Sequence, residues 1–292
     1  MIEKVALVHS GGGRFGAHQV GATKRLYEKG VRPRIFSGTS VGIYNCGHLA
    51  QYDHRKVAGI AIDKLAERWK SINTKDVWKQ HFPFGIMHGT WRTSLYDSKP
   101  MRDLLRKWFD PSKVRASGNE LYMGVVSLNG GSYHVLDINH PAPYEAMAAS
   151  AAMPLFFEPR EVSIPGQGMQ LCGDGGAMKA TPLRAAFRAG ATQIYVCLTE
   201  AEGMTYQKNF NNVMDVGPRF IALMAHSIFM LDLELALAEN ELARHNLGTK
   251  RFVNITVIRP QHPLEGDPMD FDPARSEELM ELGYEDAKKV VG

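Results

Sequence analysis

The stretch Ser37-Gly38-Thr39-Ser40-Val41-Gly42 contains the pattern Gly-x-Ser-x-Gly and decides the fold. It follows the short run Arg34-Ile35-Phe36 and precedes a helix-compatible run over residues 43–51. This order predicts a strand, a sharp turn and a helix, with Gly38 and Gly42 leaving room where side chains would collide. Ser40 would lie at the apex of the turn and at a helix N-terminus, where partial positive charge favours a developing anion. An ordinary strand-to-helix turn is the alternative interpretation.

The composition limits the classes of function. The chain has 292 residues, of which 44% are hydrophobic, and this is enough for one sizeable core. Its 34 basic and 31 acidic residues nearly balance, which argues against nucleic acid as a partner. Three scattered cysteines favour a reducing compartment over a disulfide framework or a zinc site. With no secretory signal and no long apolar span in view, we expect a cytoplasmic protein with peripheral contact at the inner membrane face.

A glycine-rich loop follows the first predicted strand, residues 5–8, and reads Ser10-Gly11-Gly12-Gly13-Arg14-Phe15-Gly16. A helix is predicted after it, so free backbone N–H groups would point into the mouth of the loop. The pattern Gly-x-Gly-x-x-Gly is present, but dinucleotide binding would need an acidic residue at the end of the second strand. That strand runs into the Ser40 turn instead, and parallel strands would place the two turns side by side. We therefore expect an oxyanion hole formed by Gly11, Gly12, Gly13 and Arg14, with a plain tight turn as the alternative.

A third motif, Met169-Gln170-Leu171-Cys172-Gly173-Asp174-Gly175-Gly176, places an acid at the end of a predicted strand. The glycines are compatible with a simple turn. Alternatively, Gly175 and Gly176 allow the backbone to bring Asp174 close to another loop.

Strands that alternate with helices predict an α/β fold, a three-layer sandwich with a mainly parallel central sheet flanked by helices. We expect a single domain over residues 1–292, with a helical and aromatic lid-like insertion at about 52–118. Within it, the segment from Trp78 to Trp91 is interpreted as an acyl-binding lid, a membrane-touching edge or a loop packed over the core. A long apolar helix over 216–245 is predicted to be buried core, particularly around Ile228, Leu231 and Leu235.

Taken in order, these motifs resemble the patatin-like phospholipases. The matching segments are Gly11 to Gly16, Gly38 to Gly42, Ala149-Ser150-Ala151-Ala152-Met153-Pro154 with Phe156, Phe157 and Pro159, and Asp174-Gly175-Gly176. The resemblance implies a Ser–Asp dyad that hydrolyses acyl esters of phospholipids or lysophospholipids without calcium, a metal site or a cofactor. Ser40 would be the nucleophile, Asp174 its base, and the loop from Gly11 to Arg14 the oxyanion hole. Ile43-Tyr44 after the elbow and Ala180-Thr181 before Pro182 depart from the family pattern.

Other interpretations remain open at this point. An α/β-hydrolase with a Ser-His-Asp triad would use His262, which follows the last predicted strand, although that fold needs more strands before its elbow. A non-catalytic lipid- or nucleotide-binding module would keep the glycine loops but would not need Ser40 or Asp174. Acyl transfer to an alcohol would use the same residues as hydrolysis.

Overall fold

The computed structural model describes residues 4–81, 92–179, 181–204, 209–210, 213–245, 247 and 252–292. Its strands are β1 (Val5–His9), β2 (Ile35–Gly38), β3 (Lys79–Gln80), β4 (Tyr96–Asp97), β5 (Glu120–Ser127), β6 (Ser132–Asp137), β7 (Arg160–Ile164), β8 (Gly168–Asp174), β9 (Gln193–Cys197) and β10 (Asn254–Ile258). The main sheet has the order β10-β9-β1-β2-β5-β8-β7, with β6 beside β5, while β3 and β4 form a separate pair. Neighbours from β10 to β5 pair in parallel, and the pairs β5–β6, β5–β8 and β7–β8 are antiparallel.

Helices cover both faces of this sheet. They are α1 (Gly16–Glu28), α2 (Val41–Ala50), α3 (His54–Trp69), α4 (Thr74–Val77), α5 (Lys99–Trp108), α6 (Pro111–Ser117), α7 (Pro143–Ser150), α8 (Leu183–Arg188), α9 (Val213–Arg244) and α10 (Pro273–Val291). Alternate residues of a strand face opposite sides of a sheet. Leu7 and Phe36 accordingly pack in one core with α1, α2 and α3, whereas Ala6 and Val8 pack in a second core with α8 and α9. This confirms the predicted three-layer α/β sandwich.

Strand β5 holds two other strands end to end along one edge. Its residues 120–123 pair with β2, its residues 125–127 pair with β8, and β6 pairs over 122–127. Because β6 overlaps both partners, it must occupy the opposite edge of β5. On the shared edge, β2 ends at Gly38 opposite Met123, and β8 ends at Asp174 opposite Val125. The ends of the two strands therefore meet about 7 Å apart along β5, given the rise of a strand residue.

The segment 52–118 is mostly helical, as its pattern predicts, and is part of the core. It contains α3 to α6 together with β3 and β4. Leu65, Trp69, Leu105 and Phe109 are buried in the core that covers one face of the sheet. Residues 82–91, which make up most of the Trp78–Trp91 segment, lie outside the described residues.

The prediction that α9 is buried core is wrong on one side of the helix. Phe229 and Leu233 are buried against the sheet, but Leu231 is 64% exposed and Leu235 is 45% exposed. The helix belongs to an outer layer, so only one of its faces can meet the strands. Its other face leaves apolar side chains on the surface.

The C-terminal helix α10 crosses α1 at two glycines. A Cβ atom at Gly21 would stand 1.7 Å from the carbonyl oxygen of Met280, and one at Gly283 would stand 1.9 Å from that of His18. The two backbones therefore touch. Beside this crossing, Nε2 of the buried His18 lies 3.0 Å from Oδ2 of the buried Asp286. Since α1 continues the glycine-rich loop, α10 helps to hold that loop against the sheet.

Candidate active site

Ser40 lies in a strained turn between β2 and α2. Its φ of 54° and ψ of −132° fall in a region that non-glycine residues rarely adopt. The turn is sharp enough that a Cβ at Gly38 would stand 2.5 Å from the carbonyl carbon of Gly42. A Cβ at Gly42 would stand 2.4 Å from the carbonyl oxygen of Ser10. Both glycines are thus needed for the geometry that places Ser40 at the start of α2.

Asp174 ends β8 with its carboxyl group removed from water. The residue is 5% exposed, and its Oδ1 accepts a hydrogen bond of 2.7 Å from the N–H of Gly176. Burial raises the pKa of the carboxyl to about 6, an effect opposed by the Gly176 N–H and by the nearby Ser40 hydroxyl. Gly175 is needed for the approach of this loop to β5, because a Cβ there would stand 2.5 Å from the carbonyl oxygen of Gly124.

One short segment aligns both residues. The Ser40 N–H donates to the carbonyl of Ser150 at 2.7 Å, and the Asp174 N–H donates to the carbonyl of Ala152 at 3.0 Å. The elbow and the acid are therefore both held by the end of α7 and the residues after it. The small side chains of this segment allow its backbone to pass this close. The sequence singles out this segment only through its resemblance to the family, since its two hydrogen bonds use carbonyl groups, which every residue has.

The glycine-rich loop lies beside Ser40, as the parallel pairing of β1 and β2 requires. An ideal Cβ at Gly11 would stand 3.8 Å from the Ser40 Oγ atom. Gly12 and Gly13 have φ values of 135° and 57°, which favour glycine. Among the residues that the structure describes, no acceptor is recorded for the amides of Gly11, Gly12 and Gly13. The Arg14 amide, by contrast, donates to the carbonyl of Pro268 at 2.8 Å and is occupied.

Buried polar side chains fix the base of this loop. The Trp69 Nε1–H donates to Asn45 Oδ1 at 2.9 Å, and Asn45 Nδ2 donates to Gln19 Oε1 at 3.2 Å. Gln19 Nε2 in turn donates to the carbonyls of Ser10 and Cys197. This chain of hydrogen bonds ties α3, α2 and α1 to the ends of β1 and β9. Neither its members nor Thr199, which contacts the other side of the loop, stands out in the sequence.

Thr199 closes the other side of the loop. Its Oγ1–H donates to the Gly11 carbonyl at 2.5 Å. A Cβ at Gly12 would stand 2.1 Å from the Thr199 Oγ1 atom. The carbonyl of Gly11 is thereby turned towards Thr199. With that carbonyl turned aside, the amides of the loop stay available to an anion beside Ser40.

A cavity of about 1300 Å³ opens onto Ser40 and Asp174. Its wall is mainly apolar and aromatic, and the segment 52–118 supplies Trp78, Tyr96 and Trp108. Tyr44, one of the two residues that depart from the family pattern after the elbow, also lines it. The half-buried Glu200 also lines the cavity, with its Oε2 atom removed from water, and this desolvation raises the pKa of its carboxyl to about 7.

His262, the candidate third residue of a triad, has an exposed side chain. Its neighbour Pro263 lines the cavity, whereas His262 is not among the described lining residues. Over the same described part of the chain, no group of three or more His, Cys, Asp or Glu side chains is arranged to hold a metal ion. No described helix is both long and apolar enough to cross a bilayer.

Comparisons with known proteins place the chain in a family. The family model of the patatin-like phospholipases matches residues 7–187, which include the glycine-rich loop, Ser40 and Asp174. Among solved structures, VipD from Legionella pneumophila is similar at 11% identity and a TM-score of 0.46, with 99% of this chain covered. The chain covers 66% of the length of that structure. The search of curated proteins gave no match. Because the family model matches more than half of its residues, the chain belongs to the patatin-like phospholipase family.

Proposed function

We propose that the protein is a lipid acyl hydrolase of the phospholipase A or lysophospholipase type, which works through a Ser40–Asp174 dyad. The observation that carries the proposal is a buried Asp174 with a raised pKa, aligned with the Ser40 elbow by Ser150 and Ala152. A raised pKa makes the carboxylate a stronger base than an exposed aspartate. A serine hydroxyl needs such a base before it can act as a nucleophile.

In the proposed mechanism, Asp174 takes the Ser40 proton as Oγ attacks the ester carbonyl. The amides of Gly11, Gly12 and Gly13 stabilise the tetrahedral oxyanion, and the occupied Arg14 amide is left out of this set. Collapse of the intermediate breaks the ester bond, and Asp174 returns the proton to the departing alkoxide. Water then attacks the acyl-enzyme, again with Asp174 as the base. Since amides and Asp174 supply these functions, we propose that calcium is not needed.

The apolar cavity supports a lipid acyl group as the substrate. A wall that includes Trp78, Tyr96, Met101 and Phe156 suits a hydrocarbon chain. We propose that the segment 52–118 acts as a lid-like insertion of the single domain, because it forms much of this wall. We also propose a cytoplasmic location with peripheral contact at a membrane surface, where the substrate lies.

The test combines labelling and turnover. Wild type, Ser40→Ala, Asp174→Asn and His262→Ala are treated with a fluorophosphonate probe, which marks an activated serine. They are then assayed with a short-chain p-nitrophenyl ester and with phospholipid vesicles, with and without a calcium chelator. We expect the Ser40 and Asp174 variants to lose at least about 10³-fold in kcat/KM, since both belong to one unit. We expect His262→Ala and the chelator to leave the rate within about twofold.

Circular dichroism of each variant provides the control for folding. A His262→Ala variant as inactive as Ser40→Ala would overturn the dyad in favour of a triad. A folded wild type that neither reacts with the probe nor cleaves any ester would indicate a binding module instead.

A further inference from the structure

Among the described residues, two arginines line the cavity, Arg68 and Arg219, and Arg68 lies beside the helix that begins at Ser40. Helix α2 begins next to Ser40 and presents Val41, Tyr44, Asn45 and His48 to the cavity, at the spacing of one helix face. His48 lies eight residues beyond Ser40, which is about 12 Å along the helix axis. The guanidinium group of Arg68, from α3, contacts His48 there and also lines the cavity.

The contacts of Arg68 fix its guanidinium without neutralising it. Its Nη1 donates to the His48 Nδ1 at 2.5 Å and to the carbonyl of Trp108 at 3.0 Å. The group also stacks on the Trp108 ring, 5.0 Å from the ring centre. Among the described residues, no carboxylate lies within ion-pair distance of Arg68, and Nε and Nη2 donate to no recorded acceptor.

His48 contributes no charge to this pair. Its Nε2 lies 2.9 Å from the carbonyl of Ala61, which can only accept, so Nε2 carries the proton and Nδ1 accepts from Arg68. Burial and the adjacent Arg68 lower the pKa of His48 to about 3. At neutral pH, Arg68 is therefore a half-buried positive charge whose partner is a neutral ring.

The surroundings of Arg68 in the cavity are apolar. Leu65, one turn before Arg68 on α3, and Trp108, which the guanidinium contacts, both line the cavity, as do Leu104 and Leu105. A half-buried cation in such surroundings loses hydration, and burial lowers the pKa of Arg68 accordingly. An anionic group on the substrate could hydrogen-bond to the guanidinium and replace the lost hydration, whereas an uncharged hydrocarbon end could not.

We propose that Arg68 binds an anionic group that the substrate carries about two helical turns from the scissile ester, namely a carboxylate at the far end of an acyl chain. The cavity as a whole has a mainly apolar wall, which fits the hydrocarbon that links the two groups. The substrates would be esters of dicarboxylic acids, whose far carboxyl group is ionised at neutral pH. This inference rests on the proposed function, since it assigns the acyl group that Ser40 receives.

The experiment compares p-nitrophenyl octanoate with the mono-p-nitrophenyl ester of octanedioic acid, and with the methyl ester of the latter. Wild type, Arg68→Met, Arg68→Lys and Lys64→Met are assayed at neutral pH. Lys64 is the matched control, because it is an exposed cation on the same helix α3. A series from hexanedioic to dodecanedioic acid then tests the distance from the ester to the anion.

We expect Arg68→Met to lower kcat/KM for the free-carboxyl substrate by about 10-fold or more, as loss of a charge-assisted hydrogen bond does. The octanoate and the methyl ester should change by about twofold or less, as should every substrate with Lys64→Met. Arg68→Lys should retain part of the selectivity, because the charge remains. An equal loss on charged and neutral substrates would overturn the proposal, since that result marks Arg68 as a structural brace between α3, α2 and α5.

Two further arms separate the possible outcomes. The first compares lysophosphatidic acid with the monoacylglycerol of the same chain. If Arg68→Met slows only the cleavage of lysophosphatidic acid, Arg68 binds a head-group phosphate. That result would overturn the proposal that it binds a carboxylate at the end of the acyl chain. The second arm measures the melting temperature with octanedioic or octanoic acid added, which does not depend on turnover. Suppose that no ester is cleaved, but octanedioic acid raises the melting temperature of wild type and not that of Arg68→Met. That result supports the anion subsite while the proposed function fails. If octanedioic acid does not raise the melting temperature of wild type either, both proposals are overturned.

Discussion

The carboxyl group of Asp174 must be ionised to accept the Ser40 proton. Because burial raises its pKa to about 6, kcat/KM should rise with pH up to about 6 and level off above it. The pH–rate profile on a soluble p-nitrophenyl ester measures this. The half-buried Glu200, which also lines the cavity, has a carboxyl whose pKa desolvation raises to about 7, so the profile is also recorded for Glu200→Gln. An inflection that disappears in Glu200→Gln would contradict the assignment to Asp174.

The same burial gives Asp174→Asn an expected effect on stability. A carboxyl whose pKa is raised on folding stabilises the folded state fully below the unfolded pKa, near 3.9, and loses that contribution as pH rises through about 6. Asparagine stays neutral throughout. At pH 8, Asp174→Asn should therefore raise the free energy of unfolding by about 1–3 kcal/mol, and the gain should vanish below pH 4. Urea unfolding at both pH values measures it.

The exposed Asp63 serves as the control for this measurement. Asp63→Asn should change the free energy of unfolding by no more than about 0.5 kcal/mol at either pH. A loss of stability in Asp174→Asn at pH 8 would mean that the hydrogen bond from Gly176 outweighs the cost of burying the charge.

At the residue scale, the sequence predicts what depends on side-chain identity. Ser40 and Asp174 lie where their motifs predict, on adjoining strand ends, and their roles remain proposals. The carbonyls of Ser150 and Ala152 and the use of the Arg14 amide by Pro268 were not predictable, because backbone groups leave no mark in composition or spacing. They depend on contacts between segments far apart in the chain.

Among the helices, the crossing of α1 and α10 should tolerate no added side chain. Gly283→Ala would place a methyl group 1.9 Å from the carbonyl of His18, so the helices must separate. We expect a loss of about 2–4 kcal/mol in the free energy of unfolding, more than a typical overpacked core position. Gly21→Ala, which meets the Met280 carbonyl, should behave alike. Thermal and urea unfolding of the full chain measure both.

Gly59 on α3 offers a matched control, since a Cβ there meets nothing within 4 Å. Gly59→Ala should be neutral or stabilising by up to about 1 kcal/mol, because alanine favours a helix more than glycine does. A Gly283→Ala protein as stable as wild type would show that the two helices can move apart without loss.

At the scale of elements, periodicity predicted the strands that carry the site but not β7. That strand, Arg160–Ile164, mixes charged and apolar residues at the sheet edge, and its pattern is weak beside the turn at Gly166. The exposure of Leu231 and Leu235 on α9 was also missed, since an apolar helix surface does not show by itself which part meets a sheet.

At the scale of the whole molecule, alternating elements predicted the three layers, but strand order required the structure. Nothing local to β2 or β8 shows that both pair with the same edge of β5. The order depends on pairing between residues far apart in the chain, such as Gly38 with Met123 and Val125 with Asp174. Spacing within a motif cannot report on it.

The end-to-end meeting of β2 and β8 on β5 also has a consequence for folding kinetics. Ser40 lies beside Asp174 only after the chain has closed a loop of more than a hundred residues, and such long-range contacts form slowly. Helices, by contrast, form in microseconds or less. During refolding, helical circular dichroism should therefore recover before Ser40 regains reactivity towards a fluorophosphonate added at successive times. Simultaneous recovery of both signals would mean that β5 pairs with β2 and β8 as early as the helices form.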